Sequence, residues 1–211
     1  MQSIDFSQVL IGFAILLVSL TVHEAAHAWT SDRLGDPTAR LLGRVSLNPA
    51  VHVDLIGTVL FPLLAVLANV PLIGWARPVP VNPARLRHPR RDYVYVAAAG
   101  PLSNLALAGL VSVSASVLGL NLWQALGQGG GAAIVLVQAI YINVFLAVFN
   151  LLPVPPLDGG NVLAGLLPPR AAAQFDRLRQ WGFLILYALI LTGVLSTIVM
   201  PIAGTIVRWL L

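Results

Sequence analysis

The sequence predicts an all-α, multi-pass membrane protein with about four transmembrane helices. Three observations predict it. The 211-residue chain is 58% hydrophobic and only 9% charged, where a soluble domain carries about 25% charged residues. Its apolar residues gather in runs long enough to cross a hydrocarbon core about 30 Å thick, which takes about 20 helical residues. Its cations, all twelve of them arginine, fall mostly between those runs. The net charge of +4 therefore reads as a topology signal, and no nucleic-acid partner is expected.

The first span covers about residues 7–29. The second, about 93–118, contains Ala99-Gly100-Pro101 and small residues (Gly100, Ser103, Ala106, Gly109) suited to close helix packing. The third, about 132–152, ends at Pro153, and the fourth covers about 181–200, with a short tail after Pro201. One further apolar run, 55–73, is interrupted by Pro62, Asn69 and Pro71. Arginines decide how to read it. Residues 31–54 carry Arg33, Arg40 and Arg44, and residues 74–92 carry Arg77, Arg85, Arg87, Arg90 and Arg91. Residues 119–131 carry no charge, whereas 153–180 carry Arg170, Arg177 and Arg179. The positive-inside rule puts both loops that flank 55–73 in the cytoplasm, so this run is expected to be re-entrant or half-buried. An ordinary span would export one Arg-rich loop.

This topology sets the N-terminus outside and makes the first and third helices run inward, so that their cytoplasmic ends share a depth. Trp75 to Asn82, punctuated by proline, reads as extended strand near that depth, and Gly129-Gly130-Gly131 as an external loop tip. The N-terminus lacks a basic region and a small-residue cleavage site, so no removed signal peptide is expected. Residues 1–211 read as one membrane-embedded domain.

With no cysteine, any metal site must use histidine and carboxylate. The single glutamate stands in His23-Glu24-Ala25-Ala26-His27, an H-E-x-x-H sequence closing the apolar run of the first span. Histidines four apart share a helix face and can bind one zinc ion, while Glu24 can act as general base on its water. Val9 to His23 is about 21 Å of helix. His23 thus falls inside the hydrocarbon layer, roughly 10 Å from its inner face.

Catalytic zinc takes a third protein ligand and leaves one position for water. His88, in Arg87-His88-Pro89-Arg90, reads as a surface residue. His52, at the start of the ambiguous run, is either a polar turn residue or a group that approaches the metal. Asp158 is the stronger candidate. The third helix ends at Pro153, the chain turns through Pro155 and Pro156, and one carboxylate precedes Gly159-Gly160. A carboxylate in so apolar a setting is costly unless paired or metal-bound, although an Asp there can also simply cap the next helix.

These residues resemble the site-2 protease family of intramembrane zinc metalloproteases. The resemblance rests on His23-Glu24-Ala25-Ala26-His27 inside an apolar helix and on Asn150-x-x-Pro153 leading to Asp158-Gly159. Also matching are Ala99-Gly100-Pro101-x-x-Asn104, Gly35-Asp36-Pro37-Thr38-Ala39-Arg40, Gly43-Arg44, Asn48-Pro49-x-x-His52-x-Asp54 and Gly74 to Asn82. Together they run from about residue 12 to 165. The chain is most similar to the small bacterial and archaeal members, with no room expected for a PDZ or CBS domain. The resemblance implies Zn2+ held by His23, His27 and Asp158, Glu24 as catalytic base and acid, and Asn150 as a catalytic residue that holds the substrate or the oxyanion. It implies cleavage in or near the transmembrane helix of a single-span or signal-peptide-like substrate. The expected location is the cell membrane, with the site toward the cytoplasm. Asn143, seven residues before Asn150, reads as an interhelical hydrogen-bonding residue. Two rival functions use the same residues: a membrane metal-ion transporter, which needs no Glu24 between its ligands, and a non-catalytic membrane scaffold, which needs no intact ligand set.

Overall fold

A computed structural model describes residues 6–61, 64, 76–127 and 130–211. Four of its helices are long: α1 (Phe6–Arg33), α3 (Pro89–Val117), α5 (Gly131–Asn150) and α9 (Val194–Leu210). Shorter ones connect them: α2 (Thr38–Leu41), α4 (Leu122–Gly127), α6 (Asp158–Leu166), α7 (Pro169–Asp176) and α8 (Gly182–Leu191). Three helices are long and apolar enough to cross a membrane, Ser7–Arg33, Pro89–Val117 and Gly131–Asn150. They coincide with the first three expected spans.

The expected fourth span is two helices. Residues 169–191 and Val194–Leu210 meet at a 75° bend, which falls at Gly193 rather than at Pro201. Gly193 has φ +74°, a left-handed turn that costs a glycine nothing. Its carbonyl accepts from the Ser196 and Thr197 hydroxyls, and Thr192 Oγ1 donates to the Ala188 carbonyl, so the break leaves these groups paired. Pro201 lies inside α9.

No strand occurs among the described residues, which corrects the expected β elements. Ala76 to Asn82 is an extended chain without a strand partner. Pro78 and Pro80 have no N–H, and the donors of Arg77, Val79 and Asn82 go to other groups: the His52 carbonyl (2.8 Å), Glu24 Oε2 (3.1 Å) and Asp36 Oδ2 (2.6 Å). Of the 55–73 run, a short π-helical turn at Leu55–Leu60 is seen, its first amides capped by Asp54. Apart from Phe61 and Leu64, the remainder of that run lies outside the described residues, as do Trp75 and residues 128–129 of the expected loop tip.

α3 is the central helix, packed against α1, α5 and α6, while α9 packs on α5. It starts at Pro89, with fixed φ at the first helical position, and buried Asp92 accepts the His88 N–H (2.8 Å). Along one face every fourth residue is buried: Asp92, Val96, Gly100, Asn104 and Ala108. The far half of α3 joins α5 and α9 in an apolar core that includes Ala108, Ala115, Ile140, Val144, Leu195 and Val199.

Candidate functional site

His23 and His27 face α3 from α1, both buried. Each ring is fixed by its Nδ1. His23 Nδ1–H donates to Asn104 Oδ1 (2.6 Å), and His27 Nδ1–H donates to the Val96 carbonyl (2.7 Å). Because those acceptors claim the Nδ1 protons, both Nε2 atoms present lone pairs, 3.1 Å apart. A bond of this kind orients a metal-bound histidine and raises its basicity.

Asp158 completes the group. The turn after α5 brings the first residue of α6 back against α1, and Asp158 Oδ2 lies 3.1 Å from His23 Nε2 and 3.4 Å from His27 Nε2. The turn is tight because its glycines are bare: a Cβ on Gly159 would enter the Leu151 and Leu152 carbonyls, and one on Gly160 would crowd the Val154–Pro155 backbone. Thus Asp158-Gly159-Gly160 works as a unit, the glycines allowing the approach that the carboxylate needs.

Three facts fit this set to a metal ion. Among the described residues it is the group of histidines and carboxylates whose ligand atoms converge. Oδ2 is buried without a hydrogen-bond partner although two Nε2 atoms adjoin it, as expected of three lone-pair donors arranged to share one cation. The separations match the edges of a tetrahedron, about 3.3 Å for metal–ligand bonds of about 2.0–2.1 Å. Two neutral imidazoles and one carboxylate suit Zn2+. The floor of the site is Gly100, whose Cβ would run into both Nε2 atoms. Packing alone predicts a small residue there; the structure adds that the missing side chain is the space beside the ligands.

Glu24 follows His23 and is half-buried, with Oε2 accepting the Val79 N–H. Asn150 stands at the end of α5, where its amide donates to the Leu146 carbonyl (2.9 Å), its one hydrogen bond among the described residues. It makes no hydrogen bond to the ligand group. His52 lies apart from that group. It is buried and its Nε2–H donates to the Ser46 carbonyl (2.9 Å), a polar turn residue. His88 is exposed and faces Asp92 and Arg91. Asn143 bonds between helices: its Oδ1 accepts from Asn104 Nδ2 (2.9 Å).

Asn104 is a site residue whose task does not show in the sequence. It is fully buried, and its Nδ2 also donates to the Ser19 carbonyl (3.1 Å), so one amide joins α1, α3 and α5 and orients His23. The available signal was its spacing of four from Gly100 on a helix opposite the histidines.

Comparison with known proteins agrees with this geometry. The model for peptidase family M50 matches residues 128–193, which contain Asn150 and Asp158. "Putative zinc metalloprotease YwhC" of Bacillus subtilis (strain 168) is 37% identical over 189 residues, 88% of this chain and 82% of that protein. "Putative zinc metalloprotease Rip2" of Mycolicibacterium smegmatis is 31% identical over 183 residues, 85% of this chain and 66% of its own length. The Rip2 of Mycobacterium tuberculosis (strain H37Rv) is 32% identical over 181 residues with the same coverage. No solved structure matches the chain. With identity sustained through most of both chains, and with a cluster able to hold a metal ion, the protein belongs to peptidase family M50, the site-2 protease family.

Proposed function

We propose that this protein is an intramembrane zinc endopeptidase that hydrolyses a peptide bond in or near a transmembrane helix of a membrane-protein substrate. The observation that carries this reading is the convergence of His23 Nε2, His27 Nε2 and Asp158 Oδ2 on one point, with Glu24 next in sequence to His23. The names of the similar proteins support a zinc peptidase, and the long apolar helices support a bilayer setting. The Arg-rich loops support a site opening toward the cytoplasm and an N-terminus outside, with residues 1–211 as one domain.

His23, His27 and Asp158 are the proposed ligands. Zinc held there supplies a Lewis acid that polarises the scissile carbonyl and makes water a nucleophile near neutral pH. The chain's own residues do the rest. Asn104 and the Val96 carbonyl keep both rings in the ligating tautomer. Glu24 takes the proton of the attacking water as its oxygen bonds to the carbonyl carbon. It returns that proton to the amide nitrogen as the C–N bond breaks, leaving one acid and one amine. The Val79 N–H fixes Oε2, which leaves the other carboxylate oxygen for the water. Asn150 is the proposed side-chain donor to substrate or oxyanion; one N–H of its amide donates to the Leu146 carbonyl, and the second is the proposed donor. A helical substrate has to unwind before its carbonyl can be reached, and an extended strand beside Ala76 to Asn82 is the proposed open form.

The test is zinc content and cleavage measured together on the purified protein with a single-span substrate. Wild type should bind about one zinc and cleave. Glu24→Gln should keep zinc and lose about 10²- to 10⁴-fold in rate, and Asp158→Ala should lose both. Cleavage retained by Glu24→Gln rejects the assigned base; full zinc with no cleavage by wild type rejects the peptidase reading.

A further inference from the structure

Arg44 is buried to 6% exposure, an unusual place for a guanidinium without a carboxylate. Seven of the eight acids fall among the described residues, and none of them pairs with it. Asp32 pairs with Arg40, Asp92 with Arg91 and Asp176 with Arg179. Asp36 is taken by Thr38 and Asn82, Asp54 caps its own turn, and Glu24 accepts from Val79. The one hydrogen bond of the Arg44 guanidinium among the described residues goes to the Val51 carbonyl, leaving most of its five donors unused.

The neighbours of Arg44 form a short row. Next to Val51, the His52 carbonyl accepts the Arg77 N–H, and two residues further along the extended chain the Val79 N–H reaches Glu24. Arg44 therefore sits beside the start of a chain whose Glu24 contact lies about two extended residues, roughly 7 Å, beyond Arg77. Burial and the adjacent Arg77 hold its guanidinium below the ordinary value, with Glu24 pulling the other way. Two neighbouring cations, one of them buried and without an ion-pair partner among the described residues, describe an anion site.

We propose that Arg44, with Arg77 at its rim, is a seat for a carboxylate carried by the substrate chain. This rests on the peptidase reading above. The burial of Arg44 and its place beside the chain that bonds Glu24 favour a peptide carboxylate over a lipid headgroup, which would stay at the interface. A substrate opened next to residues 76–82 would bring an Asp or Glu about two residues from the cleaved bond onto the guanidinium.

The experiment compares matched single-span peptides carrying Asp or Asn about two residues to either side of the cleaved bond, with the full-length protein in neutral-lipid nanodiscs. Wild type should prefer Asp on one side by about tenfold in kcat/KM. Arg44→Gln keeps a polar N–H side chain but has no charge, and the preference should fall to about one; Arg77→Gln should reduce it part of the way. Arg33→Gln, whose guanidinium stacks on Trp29, should leave it unchanged. Each preference is a ratio within one variant, so a general loss of activity cancels. A wild-type ratio near one, or a ratio that survives Arg44→Gln, overturns the proposal. So does a ratio near one with activity that rises on anionic lipid only when Arg44 is present, which would assign the seat to a headgroup. Should Arg44→Gln fail to fold, an unchanged ratio in Arg77→Gln overturns it. If zinc-loaded wild type cleaves neither peptide, the peptidase reading fails by itself. Binding of the peptides to Glu24→Gln then decides the seat: about tenfold tighter binding of Asp sustains it, and equal binding overturns it.

Discussion

The two halves of α3 use the same spacing for opposite purposes. Toward its N-terminus the buried stripe runs Asp92, Val96, Gly100, Asn104. There a carboxylate caps the helix, a carbonyl orients His27, a bare Cα makes room at the ligands and an amide orients His23. From Ala108 onward the stripe meets Ile140, Val144 and Val199 through van der Waals contact, and one hydrogen bond, from the Ser112 hydroxyl to the Leu210 carbonyl, ties it to the end of α9. The comparison teaches that in an apolar solvent a polar half must be specified bond by bond, since an unpaired group has no water to turn to. The apolar half has only to be filled, because lipid tails compete with it on nearly equal terms.

The comparison can be broken hardest at Gly100. Gly100→Ala puts a methyl against both Nε2 atoms, and we expect stoichiometric zinc to be lost while the helical circular dichroism persists. Metal analysis after dialysis checks this, and full zinc retention would show that the rings have room to retreat. Asn104→Leu comes next. It should weaken zinc about 10- to 100-fold, as loss of a bond that orients a ligand does, and strand the Asn143 carbonyl oxygen at about 1–3 kcal/mol. Competition with a chelator reads the first effect and denaturation the second. In the apolar half, Ile140→Ala should lower stability by about 2 kcal/mol and leave zinc affinity alone. A zinc defect there would mean that the halves are coupled.

The smallest effect lies at Asp36, outside the spans. Burial would raise its carboxyl, but donors from Thr38 and the Asn82 N–H, with Arg85 nearby, hold it below the usual carboxylate range. The lowered value makes its contribution fully present above about pH 4, the unfolded value, and lost as pH falls through the folded one. Acid unfolding of Asp36→Asn should lack that component. An identical acid limb in both proteins would remove Asp36 from the account.

Much of this was legible in the sequence. The first three spans follow from run length, and the three ligand candidates from spacing and the cost of a lone carboxylate. What was not legible depends on contacts between helices. Asn104 is one of many polar residues in a small-residue helix until His23 is placed across from it. The break at Gly193 was hidden because Pro201 is the stronger breaker by composition, whereas the hydroxyls of Thr192, Ser196 and Thr197 make the glycine turn affordable in place. The expected strand rested on proline punctuation, and prolines extend a chain and also strip it of the donors a ladder requires.

That last property has a consequence for how the molecule behaves among its own copies. From Arg77 to Pro80 every amide proton is either missing or already engaged. The stretch can receive hydrogen bonds but has none to give, so two such stretches brought together would face carbonyl to carbonyl and repel. A crowded bilayer full of this protein is thereby guarded against edge-to-edge zippering. A foreign chain with free amide protons keeps an opening that a sister molecule is denied.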